Sequence, residues 1–82
     1  MEFGKFCDIA DDFRHGMNFE CGSFVKIEKD VVVGDDVTIE NYVLLKSGTR
    51  IGNNVFLDSY VRSSGDNKIG NNVTLRFGCT IA

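Results

Sequence analysis

Apolar side chains recur every six residues along almost the whole chain. The first column of this pattern occupies positions 3, 9, 15 and onward to 81 in steps of six, and twelve of its fourteen residues are apolar. A second, mostly apolar column lies four residues further on in each unit. Because Val37 and Ile39 are two residues apart, both point to one face of a short strand, and Thr38 points to the other. The pattern therefore predicts very short strands with an inward and an outward face.

Between the predicted strands, a longer repeat marks the corners. Glycine occurs at Gly16, Gly34, Gly52 and Gly70, each 18 residues after the last, in segments such as Gly-Asp-Asp and Gly-Asn-Asn. Glycine and asparagine suit tight corners because they adopt positive or otherwise unusual φ values that β-branched residues resist. An 18-residue repeat that divides into three sixes predicts a triangular coil, with one unit per side, stacked on copies of itself.

Units such as Ile51-Gly52-Asn53-Asn54-Val55 resemble those of the hexapeptide-repeat, or isoleucine-patch, family. The units of that family read aliphatic, glycine or acidic, two free positions, small or valine, and one free position. The resemblance covers residues 3–82 and implies a left-handed parallel β-helix, an exception to the right-handed rule for parallel crossovers. We therefore expect an all-β fold of about four and a half 18-residue triangular coils, each about 4.8 Å tall. We expect one domain over residues 1–82, whose open C-terminal coil suggests truncation at that end.

Composition narrows the classes of partner and the cellular location. The formal net charge of −3 gives no sign of the positively charged surface that binding to nucleic acid or to an anionic membrane requires. No apolar run is long enough to span a bilayer, and no secretory signal is recognisable, so we expect a cytoplasmic protein. The three cysteines, Cys7, Cys21 and Cys79, fall in the inward columns without metal-ligand spacing. We therefore predict reduced core cysteines, no metal site and no bound cofactor.

Aromatic residues form a column at one predicted corner. Its members are one coil apart, which predicts ring stacking at about 5 Å. They are Phe6, Phe24, Tyr42 and Tyr60. Three outward positions, Val32, Leu44 and Phe56, are also apolar, one on each side of the triangle. The column is either a stabilising ladder or an interface, because exposed apolar stripes often mark contacts between chains. We expect a homo-oligomer: a trimer by the resemblance, or else an end-to-end dimer formed through open coil edges.

One unit, Ser63-Ser64-Gly65-Asp66-Asn67-Lys68, departs from the pattern. Ser63 and Asn67 stand where the two inward apolar residues are expected, and an unpaired buried amide would cost about 1 to 3 kcal/mol. Either the segment bulges outward as a small loop, or both side chains are bonded to backbone or to an internal water. A loop here would be structural or would form the wall of a site.

The resemblance also implies a chemistry. Many hexapeptide-repeat proteins transfer an acyl group, such as acetyl, from acyl-CoA to a hydroxyl or amine of a small acceptor such as a sugar. Their sites lie between the prisms of a trimer, and a histidine serves as general base. His15 is the only histidine and so the candidate base, although its register points inward. Arg50, Arg62, Asn67 and Lys68 are the candidates for binding the substrate or the phosphates of CoA, which would be a co-substrate.

Other interpretations stay open beside acyl transfer. The histidine-bearing loop typical of the family is not recognisable, and enzymes of the family are generally longer. A noncatalytic structural or assembly module built on the same scaffold therefore remains an alternative, as does a protein that binds a sugar or another small molecule without chemistry.

Overall fold

A computed structural model describes residues 2–82, which form thirteen two-residue strands and no helix. The strands follow one another at the six-residue spacing of the apolar pattern, except around the single bridge at Arg14. They are β1 Glu2–Phe3, β2 Asp8–Ile9, β3 Glu20–Cys21, β4 Lys26–Ile27, β5 Val32–Val33, β6 Thr38–Ile39, β7 Leu44–Leu45, β8 Arg50–Ile51, β9 Phe56–Leu57, β10 Arg62–Ser63, β11 Lys68–Ile69, β12 Thr74–Leu75 and β13 Thr80–Ile81.

The strands stack into three parallel sheets, one on each side of a triangular coil. Side A contains β1, β3, β6, β9 and β12; side B contains β2, β4, β7, β10 and β13; side C contains β5, β8 and β11. A bridge between Arg14 and Val32 extends side C by one coil. Paired residues are 18 apart, as in Thr38 with Phe56 and Arg50 with Lys68. The predicted all-β solenoid of stacked 18-residue coils is confirmed.

The two inward columns fill the interior. Burial is most complete in the middle coils, where Val31, Leu45, Leu57 and Val61 have no exposed surface. Phe3, the first residue of the predicted inward row, is 37% exposed, because the first described coil packs against a neighbour on one side only. The outward apolar residues Val32, Leu44 and Phe56 lie on sides C, B and A, as predicted, and are half-buried.

Positive φ recurs at the corners with the period of the coil sides. The residues with this period are Phe6, Asn18, Phe24, Asp30, Asp36, Tyr42, Gly48, Asn54, Tyr60, Asp66, Asn72 and Gly78, and Gly65 has positive φ beside Asp66. The expectation of positive φ at the corners is confirmed for asparagine, at positions 18, 54 and 72. It is wrong for the repeated glycines, Gly16, Gly34, Gly52 and Gly70, which do not have positive φ. Close approach is the reason at Gly52, because a Cβ atom there would lie 2.9 Å from the carbonyl carbon of Gly70 in the next coil.

The polar unit keeps the coil register and forms no loop. Ser63 belongs to β10 and pairs with Ile81 of β13, while Lys68 and Ile69 form β11 in register with β8. The interpretation of this unit as an outward bulge is therefore wrong. The alternative, hydrogen bonding of both polar side chains, is confirmed by their contacts.

Ser63 is only 2% exposed and bonds within the core. Its hydroxyl accepts a hydrogen bond from the Lys46 amide at 2.9 Å and shares another with the Thr49 hydroxyl at 2.9 Å. Because the Thr49 hydroxyl donates its hydrogen to the Lys46 carbonyl at 2.8 Å, Ser63 is the donor to Thr49. The Asn67 side-chain carbonyl accepts from the Gly65 amide at 2.9 Å.

Candidate functional site

His15 lies in the wall of an open cleft of about 880 Å³ that residues 15–21 line. Its ring stacks on Phe19, with centroids 5.0 Å apart and an interplanar angle of 18°. Phe13 packs against the same ring at a centroid distance of 5.7 Å. The imidazole is thus half-buried in an aromatic cluster at the corner between sides C and A, in agreement with its inward register.

The hydrogen bond of His15 fixes its tautomer. Nδ1 lies 2.8 Å from the carbonyl oxygen of Gly16. A carbonyl oxygen can only accept, so the neutral ring carries its proton on Nδ1 and its lone pair on Nε2. A histidine in this form has a free basic nitrogen, which is the group that a general base requires.

The candidate cations are divided between two sides of the prism. Arg50 and Lys68 are paired in register on side C, whereas Arg62 lies in β10 on side B. Arg50 already has a partner, because its guanidinium donates to the Asp30 carbonyl at 2.6 Å and to the Asp30 carboxylate at 3.0 Å. Both side chains are substantially exposed, so this ion pair is worth less than about 1 kcal/mol. An incoming phosphate could therefore compete with Asp30 for Arg50.

His15 is not brought together with these cations within one chain. The outward column of side C runs from Arg14 through Val32 and Arg50 to Lys68. His15 follows Arg14 in the first coil, so Arg50 and Lys68 lie two and three coils further along the prism. Arg62 faces a different side.

Arg62 lines a shallow depression of about 320 Å³ on side B. Leu44, Lys46, Ser64 and Thr80 contribute to its surface. Lys46 was not among the sequence candidates, although it stands one coil below Ser64 and next to the column of Arg62. Asn67 does not line this depression, and its side-chain carbonyl is bonded to the turn that precedes it.

All three cysteines are partly buried free thiols. The Cys7 thiol donates to the carbonyl oxygen of Gly22 at 3.2 Å. Burial, together with the neighbouring Cys7, raises the pKa of Cys21 to about 12. A thiol with so high a pKa stays protonated and is a poor nucleophile. Residues 2–82 contain no group of three side chains that could hold a metal ion.

The fold defines the class of this protein as a parallel β-solenoid with 18-residue coils. No family model, no curated protein and no solved structure matches the chain. In the described part of the chain, residues 2–82, no helix has the length and apolar character needed to cross a membrane. The chain is therefore assigned to the class of parallel β-solenoids by its repeat and its coil geometry alone.

Proposed function

We propose that the chain is the β-helix of an acyltransferase, which moves an acyl group such as acetyl from acyl-CoA to a small hydroxyl or amine acceptor such as a sugar. The observation that carries the proposal is the state of His15, whose Nδ1 is 2.8 Å from the Gly16 carbonyl and whose Nε2 is left with the lone pair. The near-unbroken six-residue repeat, with its resemblance to hexapeptide-repeat acyltransferases, supports the same chemistry.

In this reaction Nε2 of His15 takes the proton of the attacking hydroxyl or amine. The acceptor oxygen or nitrogen forms a bond to the thioester carbonyl carbon, and the carbon–sulfur bond breaks. The departing CoA thiolate then takes up the proton from the imidazolium, which restores the neutral histidine. Arg50 and Lys68, which share the outward column of side C, are the proposed partners of the CoA phosphates, and Arg62 and Asn67 are the remaining candidates.

Catalysis on this proposal needs an assembled homo-oligomer, a trimer in the first instance. The separation of His15 from Arg62 within one chain supports this requirement. The aromatic corner between sides A and B is the proposed interface: Phe24, Tyr42 and Tyr60 stack with ring centroids 4.9 Å apart. Each of these three side chains is nearly half exposed, and Phe6 is 76% exposed. Phe77 extends the column, with its ring tilted against Tyr60 at 5.2 Å.

The test is release of free CoA thiol from acetyl-CoA in the presence of a panel of amino sugars. We expect His15→Ala and the more conservative His15→Asn to lower turnover by about 100-fold or more, because general base catalysis contributes on that order. Circular dichroism and light scattering control for folding and assembly of both variants. Turnover that both variants retain in folded, assembled protein would remove His15 from the mechanism.

A noncatalytic assembly module is the second candidate function. The long exposed aromatic corner favours it, and so does the packing of the His15 ring between Phe13 and Phe19, since both features suit a structural role. No turnover and no CoA binding by calorimetry, in an oligomer of defined size, is the result expected of such a module.

A further inference from the structure

Side A carries a shallow depression of about 210 Å³ whose chemistry differs from that of the other two sides. Phe56 of β9 lies at its centre, in register with Thr38 on one side and Thr74 on the other. Asp36, Asn54 and Asn72, from successive coils of the neighbouring corner, line one edge. No lysine, arginine or histidine contributes to the depression. It therefore combines one aromatic ring, two hydroxyls, two amides and one carboxylate.

The polar edge of this depression contains an interrupted hydrogen-bond ladder. The Asn18 amide donates to the Asp36 carboxylate at 2.9 Å, and the Asn54 amide donates to the Asn72 carbonyl at 2.7 Å. The Asp36 side chain has no N–H group and cannot donate to Asn54, so the ladder of side-chain hydrogen bonds stops between these two residues. Two acceptors, the Asp36 carboxylate and the Asn54 carbonyl, therefore occupy adjacent coils without a donor between them.

We propose that this depression binds a neutral pyranose sugar. Two vicinal hydroxyls of a pyranose would donate to the Asp36 carboxylate and the Asn54 carbonyl, and so complete the ladder. The Phe56 ring supplies the apolar surface for the C–H groups of the sugar, while Thr38 and Thr74 offer further hydroxyls. Few well-placed polar groups beside an aromatic side chain are typical of small-molecule sites. The Asp36 charge, with no cation beside it, disfavours acidic sugars.

This inference does not depend on acyl transfer. The depression contains none of the residues that acyl transfer would use, and sugar binding requires no CoA. Binding is therefore measured without an acyl donor, so that a failure of catalysis and a failure of sugar binding are separate results.

Asp36→Asn is the informative variant because its two expected effects have opposite signs. Asparagine at position 36 can donate to Asn54 and so restores a continuous ladder, and it tolerates the positive φ of 58° at this residue. We expect the variant to be at least as stable as wild type. We expect it to bind neutral sugars about tenfold more weakly, because the sugar loses a hydrogen bond to a charged acceptor.

Asp35→Asn is the matched control. It removes the same charge from the same corner, and its side-chain oxygen can still accept the hydrogen bond that the Met17 amide donates to Asp35 at 2.8 Å. We expect sugar affinity within about twofold of wild type for this variant, since Asp35 does not line the depression. Phe56→Leu, which removes the ring and keeps an apolar side chain, is expected to weaken binding.

The measurement is an NMR titration of backbone and asparagine side-chain amides with the methyl glycosides of glucose, galactose and mannose, and with glucuronate. Saturable shifts confined to Thr38, Phe56, Asn72 and their neighbours, weakened by Asp36→Asn and by Phe56→Leu but not by Asp35→Asn, are the expected result. The proposal is overturned if none of the three neutral glycosides saturates, if Asp36→Asn binds as wild type does, or if glucuronate binds more tightly than the neutral sugars.

Discussion

Replacing Gly52 with valine tests how the coils are held at their spacing. The backbone at Gly52 has no positive φ, so the substitution strains the contact between coils and not the local conformation. A Cβ atom at this position would lie 2.9 Å from the carbonyl carbon and 3.0 Å from the carbonyl oxygen of Gly70. It would also meet the side-chain oxygen of Asn71, which accepts a hydrogen bond from the Asn53 amide at 2.7 Å.

The expected cost has two parts. Overpacking against the backbone of the next coil costs about 1 to 3 kcal/mol, and losing the hydrogen bond between Asn71 and Asn53 costs about 1 kcal/mol. Gly52→Val should therefore lower the free energy of unfolding by about 2 to 4 kcal/mol. Asn53→Ala removes only the exposed acceptor of the Asp35 amide, which is bonded at 2.8 Å, and should cost about 1 kcal/mol because water replaces that bond.

Thermal melts of the two variants make the comparison. In a domain of this size each kcal/mol lowers the midpoint by about 4 to 8 °C, so we expect a drop of about 8 to 32 °C for Gly52→Val and of about 4 to 8 °C for Asn53→Ala. Gly70→Val is the matched control, because a Cβ atom at Gly70 meets nothing within 4 Å. Equal midpoints for Gly52→Val and Gly70→Val would refute the close-approach argument.

Three further predictions concern the core thiol, the polar core and the aromatic corner. In the folded chain the pKa of Cys21 is raised to about 12 from 9.0. As the pH rises, the unfolded chain therefore loses the Cys21 thiol proton at a lower pH than the folded chain does. Its contribution to stability is thus present below pH 9.0 and lost as pH rises toward 12. Urea denaturation of Cys21→Ala should show a shallower alkaline decline, and an unchanged decline contradicts this. Ser63→Ala should cost about 1 to 3 kcal/mol in urea denaturation because the Lys46 amide and the Thr49 hydroxyl lose a partner, whereas exposed Ser64→Ala should change stability by less than about 0.5 kcal/mol. Light scattering should give an oligomer at micromolar concentration that Tyr42→Ser weakens, and a soluble wild-type monomer of 9.1 kDa would exclude the assembly.

The interior could be predicted from the sequence because it follows from a period. Residues such as Val37 and Ile39 have to share a face of a strand, and repetition every 18 residues leaves one stacking register for them. The aromatic column could be predicted for the same reason, since Phe24, Tyr42 and Tyr60 occupy one position of successive coils, and their stacking is confirmed. Composition and spacing sufficed because each coil repeats the contacts of the one before.

Side-chain hydrogen bonds were less accessible because they depend on the chemistry of particular neighbours. The period alone could not show whether Ser63 bonds inside the core or leaves it, since that depends on Thr49 in the adjacent coil. The interrupted ladder at Asp36 did leave a signal in the sequence. Positions 18, 36, 54 and 72 form one column, whose residues are Asn, Asp, Asn and Asn. The single carboxylate in this column of amides is the one side chain that cannot donate a hydrogen bond to the next coil.

The three sides of the prism share one interior but present different chemistry, which links both proposals to assembly. Side C presents Arg50 and Lys68, which suit the phosphates of an acyl donor, while side A presents Phe56 between two threonines, which suits a neutral acceptor. On one prism these surfaces face away from each other, so a donor and an acceptor bound there could not meet directly. In a trimer that meets at the aromatic corner between sides A and B, side A of one chain would lie beside side B of the next, and side C would face outward. Of the candidate cations, Arg62 on side B would then face side A of the neighbouring chain, whereas Arg50 and Lys68 on side C would remain on the outer surface of the assembly.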